Sequence, residues 1–153
     1  MTTRNPPLSV EQLHLPVDDR DRDAVLALEA ASFSNPWTAE TFDAMLARPV
    51  SQVYVARVPD AGIVGFCACW VIEDEIHINT IAVDTAWRRR GVGSGLLKAI
   101  LERTGPRRAT LEVRRSNTAA LGLYEKLGFE VTAVRAGYYS NPEEDGMILW
   151  LNP

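Results

Sequence analysis

The sequence predicts a layered α/β domain of the α+β kind, with a central mixed, mostly antiparallel sheet flanked by helices in the order β-α-α-β-β-β-α-β-α-β-β. Three observations predict it. Residues 52–58, 63–71 and 75–83 are rich in β-branched and aromatic residues and are separated by the short polar turns PDAG and EDE, the pattern of an antiparallel meander. Two stretches before the meander and two after it carry apolar residues at helical spacing. A glycine-rich loop, GVGSG, opens the third of these helices. At 153 residues and 46% hydrophobic content the chain is expected to form one domain spanning 1–153, with a ligand-binding core at about 75–129.

Taken in order, SVEQLHLPV reads as a short first strand, and DRDAVLALEAASF as a helix with an acidic first turn and an apolar face at Val25, Leu28 and Ala31. Thr38 is placed to cap a second helix, which carries Phe42, Met45 and Leu46 along one side. After the meander, Val92, Leu96, Leu97, Ile100 and Leu101 form the stripe of the third helix, and RATLEV is a compact strand. The fourth helix takes Ser116 or Asn117 as its cap, aligns Ala120, Leu123, Tyr124 and Leu127, and ends at Gly128. Strands at roughly 129–136 and 146–151 close the sheet.

Charge and composition exclude several classes. A formal net charge of -4 argues against general nucleic-acid binding while remaining compatible with a basic peptide partner. No window approaches the ~18 apolar residues of a membrane span, and MTTRNPPLSV lacks the apolar core of a signal peptide, so the expected location is the cytoplasm. Cys67 and Cys69 share one face of a strand and read as core thiols; a disulfide between them is geometrically unfavourable. With no CxxC pair, and with His14 and His77 in unrelated segments, no metal is expected.

Against that acidic background, residues 87–95, WRRRGVGSG, form a cationic loop almost free of side chains beyond its arginines. Glycines let a backbone approach a ligand, and arginines add positive charge beside it, so the pair points to an anion such as a phosphate. A flexible surface turn is the plainer alternative. A nucleotide-triphosphatase loop is disfavoured because no Lys-Ser/Thr pair follows the glycines. The dinucleotide fingerprint is nearly met at Gly91-Val92-Gly93, with Glu112 where its ribose-binding acid would fall. Leu96 stands at its third glycine, however, and the preceding strand ends well before the loop.

The loop Arg88-Arg89-Arg90-Gly91-Val92-Gly93, set between an apolar strand and an amphipathic helix, resembles the pyrophosphate loop of the GNAT acetyltransferases. The resemblance extends through SFSNPWTAETF at 32–42, IHINTIAVDTAWRRRGVGSGLL at 76–97, LEVRRSNTAALGLYEKLGF at 111–129 and GYYSNPEEDGMIL at 137–149. Together these are similar to the RimI-type N-terminal acetyltransferases of ribosomal proteins, with EDG standing where an EDA-like run is usual.

The resemblance implies acetyl-CoA as cosubstrate, with its pyrophosphate held by Arg88, Arg89, Arg90, Gly91, Val92, Gly93 and Ser94. It places the pantetheine arm on the backbone of Ile81, Ala82 and Val83, in a gap between the splayed strands 75–83 and 108–113, with Asn117 as a further cofactor contact. It implies Glu112 as general base and Tyr124 as general acid. From the residues alone, the apolar neighbours Leu111 and Val113 turn Glu112 to the opposite strand face, where an exposed strand charge is the ordinary reading. Tyr124 could equally be a core tyrosine, Asn117 a simple cap, and His77, the reserve base, a structural histidine.

Phe33, Trp37, Tyr138 and Tyr139 are candidate walls for the acceptor, and the acidic runs 73–75 and 143–145 could attract a basic tail. The acceptor implied is a protein N-terminus, foremost the N-terminal alanine of small-subunit ribosomal protein eighteen. Two alternatives stay open: a GNAT enzyme acting on lysines, polyamines or small amines, and a non-catalytic acyl-CoA sensor.

Overall fold

The computed structural model describes residues 8–33, 36–105 and 108–151. Its elements follow the expected order: β1 (Ser9–Leu13), α1 (Asp19–Ser32), α2 (Ala39–Leu46), β2 (Ser51–Val58), β3 (Gly62–Ile72), β4 (Glu75–Val83), α3 (Val92–Thr104), β5 (Arg108–Arg114), α4 (Thr118–Lys126), β6 (Glu130–Tyr139) and β7 (Glu144–Leu151). A single 3₁₀ turn, Thr85–Trp87, lies between β4 and α3. The seven strands form one sheet in the order β1-β2-β3-β4-β5-β7-β6, in which β4 and β5 are parallel and every other neighbouring pair is antiparallel.

The central strands are buried on both faces, which is why their sequences read as nearly continuous apolar runs. Alternation still divides the core. Val53, Val55, Phe66 and Ala68 face α1 and α2 together with Val25, Leu28 and Phe42. Tyr54, Ala56, Cys67 and Cys69 face the other way, onto Leu96, Leu97 and Ile100 of α3 and Tyr124 of α4. Gly65 of β3 permits this second contact, since a Cβ there would stand 2.9 Å from Val92 Cγ1.

The caps fall where side-chain chemistry puts them. Asp18 accepts from Arg20 N–H at the head of α1, so that helix starts two residues before the expected Asp21. Thr38 accepts from Thr41 N–H at 3.1 Å. Asn117, rather than Ser116, caps α4 by accepting from Ala120 N–H at 3.2 Å. Gly128 leaves α4 with φ 99°, in the left-handed region.

Two expectations are corrected. The buried stripe of α1 is Val25, Leu28 and Glu29, while Ala31 is exposed at the rim of a hollow of about 260 Å³ between α1 and the end of β4. The final hairpin is longer than expected, because β6 runs on to Tyr139 through two register shifts and β7 begins at Glu144.

Candidate active site

The β4–β5 ladder pairs Glu75 with Arg108 and ends at Ile78 with Leu111. Beyond that rung, β4 keeps its β3 partners to Val83, whereas β5 keeps only β7. The departure coincides with a bulge. Ala68 faces Thr80 and Cys69 faces Ile78, leaving Asn79 as the extra residue of β4. The two strands therefore splay, and the inner edge of residues 79–83 has no strand beside it.

A cavity of about 370 Å³ lies in this gap, lined by Ile78 to Ile81 from β4 and Leu111 to Arg114 from β5, by Asn117 and Tyr124, and by Glu29, Phe33 and Tyr139 from distant segments. Glu112 is exposed between buried Leu111 and Val113, as strand alternation requires. Tyr124 is 4% exposed and stacks edge-on against Phe129 at 5.9 Å, and its burial holds the phenol well above the usual tyrosine range. Asn117 lines the same cavity while it caps α4.

The arginine-glycine loop turns sharply before α3. Arg89 and Gly91 have φ of 62° and 81°, and Gly95 N–H donates to Gly91 O at 2.9 Å. The glycines serve different ends. A Cβ at Gly91 would meet nothing within 4 Å, so only its left-handed backbone calls for glycine; at Gly93 it would stand 3.1 Å from Leu123 Cδ2, so that glycine lets α3 pack against α4. The first-turn N–H groups of Val92, Gly93 and Ser94 have no carbonyl partner inside their helix and carry its positive dipole end. Arg88, Arg89 and Arg90 are exposed beside them, with the Arg90 guanidinium 4.8 Å from the Trp87 ring centroid.

The acceptor candidates divide. Phe33 and Tyr139 line the cavity. Tyr138 lies outside its lining but beside Glu112, and hydrogen bonding to that carboxylate, ahead of burial, raises its pKa. Tyr139 meets Tyr138 edge-on at 5.0 Å and is pushed up to about 12 by burial first and then by Glu112. Trp37 packs instead against Phe42 and Phe66, at 6.4 and 5.9 Å, in the apolar layer under α1 and α2.

His77 is not part of the cavity lining; its Nε2 is 3.3 Å from Glu75 and its ring meets the edge of Trp150. The acidic runs have structural partners. Glu75 pairs with Arg108, Glu144 accepts from Ser116 N–H beside Arg114, and Asp145 pairs with Arg115, so the β6–β7 tip is tied to the end of β5. Burial pushes Cys69 up to about 12 and Cys67 higher than its ordinary range, so neither thiol is poised as a nucleophile. Among the described residues no group of three or more His, Cys, Asp and Glu side chains is positioned to hold a metal.

Asn79, Arg114 and Glu29 are among the cavity residues not singled out from the sequence. For Glu29 a signal existed. It follows Val25 and Leu28 at i+4 and i+1, a carboxylate in a stripe where the helical period calls for an apolar residue.

A parallel strand pair that opens in mid-sheet, with a glycine-rich helix entry at its mouth, defines the acyl-CoA-dependent N-acyltransferase class. Residues 22–129 match the acetyltransferase (GNAT) family, and the chain belongs to it. Among relatives, N-alpha-acetyltransferase RimI of Mycobacterium tuberculosis is 36% identical over 126 residues, 79% of this chain and 78% of that protein. The [ribosomal protein bS18]-alanine N-acetyltransferase of Escherichia coli K12 is 31% identical over 140 residues, 88% of this chain and 93% of that one. The crystal structure of the ribosomal-protein-S18-alanine N-acetyltransferase from Escherichia coli superposes with a TM-score of 0.82 at 28% identity, covering 95% and 94% of the two chains. The protein is an N-acetyltransferase that uses acetyl-CoA.

Proposed function

We propose that the enzyme acetylates the α-amine of a protein N-terminus, and that the N-terminal alanine of ribosomal protein bS18 is its acceptor, met in the cytoplasm. The observation that carries this reading is that Glu112, Tyr124 and the unpaired edge of β4 line one cavity, whose walls also include Phe33 and Tyr139. The relatives named for bS18 alanine support the choice of acceptor.

When bound, acetyl-CoA supplies an acetyl thioester as electrophile and a thiol as leaving group. The open edge at Ile81, Ala82 and Val83 suits an amide-bearing arm that adds to β4 as a strand would. The N–H groups of residues 89–94 and the three arginines suit its phosphate end, and Asn117 is a further cofactor contact nearer the transfer site. Glu112 takes a proton from the acceptor nitrogen, which titrates near ~7.7–8.0 and attacks only as the neutral amine. Transfer would form the C–N bond and break the C–S bond, and Tyr124 is the residue that would meet the leaving sulfur.

Tyr124 holds its proton more tightly than an ordinary phenol, whereas a thiol is the stronger acid at about 8.5. Complete proton transfer from tyrosine to sulfur is therefore uphill, and Tyr124 acts as a hydrogen-bond donor to the departing thiolate. The test is a mass-spectrometric panel of peptides with free or blocked N-termini, with and without lysine. Acetylation of free alanine N-termini alone is expected. Modification confined to lysine in blocked peptides would replace this reading with a side-chain acetyltransferase.

A further inference from the structure

Glu29 is 3% exposed, in the last turn of α1, and lines the cavity that Glu112 also lines. Its surroundings give it one hydrogen bond, from Trp37 N–H to Oε2 at 2.6 Å, and no cation among the described residues. The charged and titratable groups around the cavity are Glu29 from α1, Glu112 and Arg114 from β5, Tyr124 from α4 and Tyr139 from β6; β4 contributes only neutral side chains. Arg114 is spent elsewhere. It donates to the carbonyls of Pro142 and Ser140 at 2.8 and 2.9 Å, lies 3.6 Å from Glu144 and covers the Tyr139 ring at 4.6 Å.

The cavity thus carries two carboxylates, and the one cation in its lining, Arg114, is turned toward Glu144 and two carbonyls of the final hairpin rather than toward Glu29. A buried carboxylate is costly unless something compensates it, and an amine that enters as ammonium is the complement the family's reaction supplies. We propose that Glu29 is a substrate-binding residue that receives the acceptor amine in its protonated form, before Glu112 removes the proton. This rests on the reading of the cavity as the acceptor site. It divides labour between the two carboxylates: one recognises the cation, the other converts it into the nucleophile.

The competing role is purely structural, with Glu29 pinning Trp37 and the segment around it. Two substitutions separate the roles. Glu29→Gln keeps an acceptor oxygen for Trp37 N–H and loses the charge; Glu29→Asp keeps the charge and withdraws it from Trp37. Steady-state kinetics with an alanine-initiated peptide at saturating acetyl-CoA should show Glu29→Gln raising peptide KM ~10–100-fold at pH 7, the range of a hydrogen bond to a charged group. Its kcat should stay at or above the parent value, because the bound amine no longer has a carboxylate favouring its protonated form. The defect should shrink at pH 9, where the free amine is neutral, and acetyl-CoA affinity should not change.

Glu29→Asp should keep the pH signature of the parent. The reverse order, with Gln parental and Asp impaired, would reduce Glu29 to a pin and overturn the proposal. A parental KM in Glu29→Gln while the parent acetylates the peptide normally overturns this inference alone. A parent that does not acetylate the peptide overturns the N-terminal reading, and this one with it.

Discussion

On the proposed reading, the cofactor side of the cleft is mostly backbone, with arginines at its mouth, and the acceptor side is made of side chains. On the first, an unpaired stretch of β4 and a glycine turn into α3 come from one continuous run of about 20 residues, 76–97. On the second, Glu29 and Phe33 of the α1 end and Tyr139 of the final hairpin meet across the sheet from segments more than 100 residues apart. Backbone recognition suits a ligand that never varies. Side-chain recognition suits an acceptor whose identity distinguishes one family member from another, because side chains can be exchanged without disturbing the strand that holds the cosubstrate.

Substitutions on either side should therefore fail differently. The largest effect is expected between the two sides: Glu112→Gln should slow transfer about 10²–10⁴-fold, leave acetyl-CoA affinity near parental, and recover toward high pH as the amine deprotonates unaided. Transfer measured by mass spectrometry and cofactor binding measured by calorimetry check it; parental turnover at neutral pH would remove Glu112 from the mechanism. Next comes Gly91→Val, which forces a β-branched residue to φ 81° at a position where an added Cβ has no atom within 4 Å. The parent should gain about 2.7 kcal/mol of stability at acetyl-CoA one hundred times its Kd, and the variant should lose that gain in thermal-shift titrations while keeping its unliganded fold.

Tyr124→Phe should lower kcat about tenfold, the worth of one hydrogen bond near 1.4 kcal/mol, with no recovery at high pH. A loss approaching that of Glu112→Gln would instead restore full proton donation to Tyr124. The smallest effect is on stability, at Glu29. Its carboxyl is raised by burial, with the Trp37 N–H opposing, so the folded state binds its proton more tightly than the unfolded chain does. Such a group destabilises the fold above its folded pKa, and the penalty fades as pH falls through that value. Denaturant melts should find Glu29→Gln at least as stable as the parent at neutral pH, with the parent catching up on acidification.

The difference between the sides also explains what was legible. The order of elements along the chain, the caps at Thr38 and at Ser116 or Asn117, and the loop at 88–94 are local patterns, and the sequence carries them within a few residues. The splay of β4 from β5 is not local: it came from family resemblance rather than from spacing, and its starting point past Ile78 is seen only in the structure. Trp37 shows the limit. An aromatic residue near a loop is the same letter whether its ring walls a cavity or, as here, packs on Phe66. Glu29 was overlooked for the converse reason: a charged residue on a helix is normally solvated, and only its position beside Val25 and Leu28 separated it from its neighbours.

The short parallel ladder has a mechanical meaning. Four rungs, from Glu75–Arg108 to Ile78–Leu111, hinge one slab of strands, β1 to β4, to another, β5 to β7, in the way a spring joins the jaws of a clothes peg. At the closed end Arg108 grips Glu75 at 3.1 Å and lies over the Trp150 ring at 4.4 Å, and His77 meets that ring from its edge. That clamp lies outside the cavity lining, at the end of the ladder away from the gap, so on the proposed reading it would set the angle of the jaws, and the width left for a chain between them, without touching either ligand.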